Sequence, residues 1–154
     1  MPDMSELDDA LSMPDDEVVE AAVFAVADDA TLLVAAREVI ASAFGIQLQE
    51  VPGEAWGAET DLGTLFLGTM SDFIIGLELR LPGQFEATTP LLEYLNERNA
   101  STTFVTFSIL DDHLWVSANV DGHPFAPAHL NRVLAFMFQA AVAVGGDLQA
   151  EEDA

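Results

Sequence analysis

The side chains of this sequence best able to do chemistry are three histidines, His113, His123 and His129, with Asp111 and Asp112 beside the first. Three imidazoles are enough to hold a zinc ion with an open coordination position for water. The pattern does not support that use. The three are irregularly spaced and fall in a turn, a loop and a helix start. Asp-Asp-His is ordinary turn chemistry, and the start of a helix is an unfavourable place for a cation. We assign no metal site. Serine nucleophiles fare no better. Ser5 and Ser12 lie in a polar leader, Ser42 is in mid-helix, Ser71 is in a turn, and Ser101 and Ser108 flank strand sequence. None stands in a G-x-S-x-G elbow. Gly63, Gly68, Gly76 and Gly83 match neither a phosphate-cradling loop nor a dinucleotide fingerprint. With no cysteine in the chain, thiol catalysis, disulfides, iron–sulfur clusters and zinc–thiolate sites are excluded. The sequence offers no catalytic residue and no cofactor site, and it reads as a non-enzyme.

Charge narrows the partners. Twenty-seven acidic residues face four arginines, a net charge of −23 in 154 residues. Such a surface repels phosphate, so neither nucleic acid nor an anionic membrane is an expected partner. A GC-rich or halophilic background would produce the same acidity. Taken as a recognition feature, it points to a basic partner. The N-terminus has no positive region followed by an apolar one, so no secretory signal is read and the expected location is cytoplasmic. The longest apolar run, "VLAFMFQAAVAVGG", is broken by Gln139 and is short for a membrane span.

The elements that would position a site follow from period and punctuation. Residues 1–13 read as an acidic tail, 14–148 as one domain and 149–154 as a second acidic tail. "SMPDDEVVEAAVFAVA" predicts a helix, with Ser12 as N-cap, Asp15 completing the capping box and Pro14 in the first turn. A second helix starts at Asp28 or Asp29, carries Leu32, Ala36, Val39, Ile40 and Ala43 on one face, and stops at Gly45. Three strands follow: "GIQLQEV", "LGTLFLG" within a glycine-interrupted region, and "SDFIIGLELRL". "ATTPLLEYLNERN" is a helix capped by Thr88 or Thr89, with Leu91, Leu92 and Leu95 inward and Asn96 or Asn99 ending it. A hairpin then turns at Asp111-Asp112, and a last helix starts near Ala128 and stops at Gly145-Gly146. The expected architecture is α+β, with an antiparallel sheet of about five strands packed with helices.

The hairpin sets Leu114, Val116, Ala118 and Val120 on one face, with Trp115, Ser117 and Asn119 on the other. The second face also takes Ile74, Glu78 and Arg80 from the preceding strand, and Phe104, Thr106 and Ser108 from the hairpin's first. Large apolar residues in a polar surround suit a peptide or protein segment, and we select Trp115, Phe104 and Ile74 as anchors with Glu78 nearby.

"LLEYLNERNASTTFVTFSILDDHLWVSANVDG", followed by a long apolar helix with Leu130, Leu134 and Met137, resembles the YbjN-like domain family. The likeness extends more loosely from about Thr31 to Leu148. It implies the fold of the class I type III secretion chaperones. It also implies a function without catalysis, since the family is described as sensory-transduction regulators or peptide-binding chaperone-like modules. The secretion-chaperone relatives are small, acidic and usually dimeric through the middle helix. Here that points to Leu91 and Tyr94 as a homodimer interface, the alternative use of the apolar surface. The acidic helix before Thr31 is a departure from the family pattern and could lie over the proposed sheet face.

Overall fold

The computed structural model describes residues 26–53, 55–70 and 72–153. The helix expected over residues 12–27 and the tail before it lie almost wholly outside that range. The first element, α1, spans Asp29–Phe44. Its N-cap is Asp28, whose carboxylate accepts the Thr31 amide at 2.8 Å. That amide holds the Asp28 carboxyl below its ordinary pKa. The helix stops because Gly45 takes φ 68 and donates its N–H back to the Ala41 carbonyl. Leu32, Ala36 and Ile40 are its buried stripe, whereas Ala43, expected on the same face, is exposed.

Four strands then run back and forth: β1 Gln49–Val51, β2 Ala55–Thr60, β3 Gly63–Thr69 and β4 Ile74–Arg80. Helix α2, Thr89–Ser101, is capped by Thr88, which accepts the Leu91 amide, with proline in its first turn. The hairpin β5 Thr106–Leu110 and β6 His113–Asp121 follows. Its two turn residues, Asp111 and Asp112, both adopt positive φ (53 and 63), the pairing that matches the twist of a two-residue hairpin. All pairings are antiparallel, in the order β1-β2-β3-β4-β6-β5. The sheet therefore has six strands rather than about five. The glycine-interrupted region contains two of them, β2 and β3, joined by Asp61-Leu62.

The last helix, α3, spans Pro127–Asp153. It does not stop at Gly145-Gly146, and residues 149–153 are helical rather than a loose tail. Two interior glycines weaken a helix by about 2 kcal/mol relative to alanines, so tertiary contacts must hold its end. Val144 and Leu148 pack on the core cluster there, and the Tyr94 hydroxyl donates to Asp147 Oδ2 at 2.6 Å. By length and composition α3 could cross a bilayer. In this fold its stripe of Leu130, Val133, Leu134, Met137, Ala141 and Val144 is buried in the domain core.

The core lies between one sheet face and the helices. Leu65, Leu67, Ile75, Leu77, Leu79, Leu114, Val116 and Val120 project into it from the strands, each at most 1% exposed. Helices α1 and α3 pack over β3 and β6, and α2 lies along β5. Among the described residues no polar or charged side chain is fully buried.

The sheet face and its neighbours

The opposite sheet face is fixed by register. Gly57, Phe66, Glu78, Ser117 and Thr106 form one cross-strand row, and Glu59, Thr64, Arg80, Trp115 and Ser108 form the next. Diagonal neighbours in such rows are within reach of aromatic side chains. The Phe66 and Trp115 rings stand 5.8 Å apart at 39°. The Arg80 guanidinium carbon lies 5.7 Å from the Phe66 ring centre and 5.8 Å from that of Trp115, inside cation–π range of both. Phe66 leans over Gly57, where an added Cβ would come within 3.3 Å of its ring. Met70, exposed and flexible, lies over Gly76 in the same manner. The Trp115 indole N–H is buried and has no hydrogen-bond partner.

Two of the four residues selected from sequence meet here. Trp115 and Glu78 are diagonal neighbours, because Arg80 pairs with Trp115 and Glu78 with Ser117. Ile74 is on the same face but opposite Asp121, six residues along β6 from Trp115 and so roughly 20 Å away. Phe104 is not on this face. Alternation along "FVTFS" assumes extended backbone, but Phe104 has φ 75, which breaks the alternation and sends its ring to the helix side. There it packs edge-on against Phe136 of α3 at 5.3 Å and near His129 at 6.1 Å. Phe66 was missed. Its signal was the Thr64, Phe66, Gly68 alternation against Leu65 and Leu67, obscured by the flanking glycines.

Leu91 and Tyr94, selected as dimer contacts, are both half-buried against this chain's own core cluster, and the Tyr94 hydroxyl is bonded to Asp147. The three histidines are dispersed. His113 opens β6 and His123 follows its far end, roughly 30 Å along the strand. His123 stacks on Phe73 at 4.9 Å, and His129 is beside Phe104. Among the described residues no cluster of three metal-ligating side chains occurs.

The fold has relatives. Residues 80–153 match the family model described as T3SS (YopN, CesT) and YbjN peptide-binding chaperone 1. The match covers the end of β4, α2, the hairpin and α3, just under half of the chain, and includes the segment whose resemblance was read from sequence. Two solved structures share the fold. One is the Yersinia pestis type III secretion chaperone SycH in complex with a stable fragment of YscM2, with TM-score 0.54 and 14% identity, covering 71% of this chain and 96% of that one. The other is YbjN from E. coli, with TM-score 0.57 and 15% identity, covering 75% and 93%. At these identities the likeness is one of fold. No curated protein matches the chain significantly.

Proposed function

We propose that this protein is a non-enzymatic, cofactor-free module that holds a segment of another polypeptide against the outer sheet face. The observation that carries the reading is the Phe66–Arg80–Trp115 group on the outer face. Aromatic rings and an arginine at the centre of a polar surface are the composition of a binding hot spot. Met70 over a glycine floor adds a side chain that adapts to different partners. Glu59 and Glu78 beside the group favour a basic segment. Support also comes from the matched family, described as peptide-binding, and from the SycH structure, which holds a YscM2 fragment.

The chain has two tryptophans, so in a Trp56→Phe background Trp115 reports alone. A peptide that docks on this face should shift its emission. Trp115→Ala should weaken capture of that peptide at least about tenfold, a loss of about 1.4 kcal/mol, with little change in melting temperature. Undiminished capture by Trp115→Ala and Phe66→Ala would refute the assignment.

A further inference from the structure

A groove of about 810 Å³ opens on the helix side, between the β2–β3 turn, the start of α2 and the C-terminal half of α3. None of the residues of the Trp115 group lines it. The apolar part of its wall is built by Leu62, Leu81, Phe85, Leu91, Val142 and Leu148, with Gln84 and Gln149 also lining it. Gly145 and Gly146 also line it, and a Cβ added at either would meet nothing within 4 Å. No packing neighbour explains their smallness, yet two glycines in mid-helix are costly. What they do is keep the space open. The wall beyond them is held in place by the Tyr94–Asp147 hydrogen bond. The charged groups at the groove are Asp61 and Glu151, both acidic.

We infer that this groove is a second docking site, taking an apolar segment flanked by arginine or lysine from a partner polypeptide. The inference rests on the reading of the chain as a polypeptide binder but not on the sheet face. Charge selects the occupant. A second copy of this chain has only four basic residues, all arginine, to set against these carboxylates, and nucleic acid would bring its phosphates. A cationic apolar peptide satisfies both the walls and the rim.

The test uses a fluorescein-labelled synthetic peptide of alternating leucine and arginine, with an aspartate-for-arginine companion, read by fluorescence anisotropy on the full chain. Gly146→Leu sets a side chain into the groove from a Cβ position with nothing within 4 Å and replaces glycine by a better helix former, and an unchanged melting temperature separates loss of binding from unfolding. The expected result is affinity at least about tenfold weaker in Gly146→Leu, a loss that persists when both proteins also carry Trp115→Ala, weaker also in Glu151→Gln and negligible for the aspartate peptide. Equal binding by Gly146→Leu, or no binding by the unmodified chain, overturns the inference. Loss in Trp115→Ala alone overturns it while sustaining the sheet-face reading. Dimerisation of the unmodified chain abolished by Gly146→Leu would make the occupant a second copy, which also overturns it.

Discussion

Tyr94 is the only tyrosine of the protein, so its ionisation can be followed directly by ultraviolet difference spectroscopy. Burial first, and then the hydrogen bond to and charge of Asp147, push its phenol up from 10.0 to about 12. The folded state thus favours the protonated phenol. The stability gained is fully present below the unfolded value near 10 and is lost as pH rises through about 12. A titration midpoint near 12, lowered by Asp147→Asn, is the expected outcome; a midpoint near 10 would mean the bond is not kept in solution. At neutral pH Tyr94→Phe should cost about 1 kcal/mol in thermal or urea unfolding. Two other residues mark where sequence reading fails at this scale. Phe104 was assigned to a face by alternation, and a positive φ that no local pattern announces put it on the other side. Phe66 was legible only once β3 had been placed, since a ring's partners come from the neighbouring strands.

At the scale of elements, Asn99 does work that α2 itself does not require. Expected to end the helix in a left-handed turn, it instead sends its amide across to β5, while Thr102 closes the helix in extended conformation. The Asn99 Nδ2 group donates to the Phe107 carbonyl at 3.0 Å, and its Oδ1 accepts the Phe107 amide at 2.6 Å. Asn99→Ala leaves both part-buried groups without a partner and should cost about 1–3 kcal/mol in urea denaturation. Glycines give a paired prediction. Gly122→Ala runs a methyl into the Leu32 side chain and should destabilise by about 1–3 kcal/mol. Gly145→Ala meets open space and should stabilise α3 by about 1 kcal/mol. Opposite shifts in melting temperature are expected, and two shifts of the same sign would contradict the packing described. The elements legible in advance were those with local signals: a helix start at Asp28 or Asp29, a cap at Thr88 or Thr89, Gly45 as a stop and Asp111-Asp112 as a turn, the structure selecting Asp28 and Thr88. What was not legible depended on distant partners. β2 is recognisable mainly by its pairing with β3, and α3 passes Gly145-Gly146 because Tyr94 and the core hold its far turns.

For the molecule as a whole, a net charge of −23 means that folding brings mutually repelling carboxylates together. Stability should therefore rise as sodium chloride screens them, over the range in which the Debye length falls from about 30 Å to about 8 Å. Urea midpoints measured across that range test it, and a flat or falling series would show that specific pairs outweigh the general repulsion. The same screening should weaken capture of a cationic peptide, so stability and affinity should move in opposite directions with salt. Global architecture was legible because it rests on apolar spacing, which the core and the hairpin obey. Of a partner the sequence suggests only a sign of charge.

The sheet's two ends are unequal. On the β5 side Asn99 occupies the outward groups of Phe107, whereas on the other side β1 covers only Ala55–Gly57, leaving Ala58–Thr60 of β2 without a strand neighbour among the described residues. A strand added beside β5, whether an exchanged arm or a second molecule, would first have to displace the Asn99 amide from Phe107.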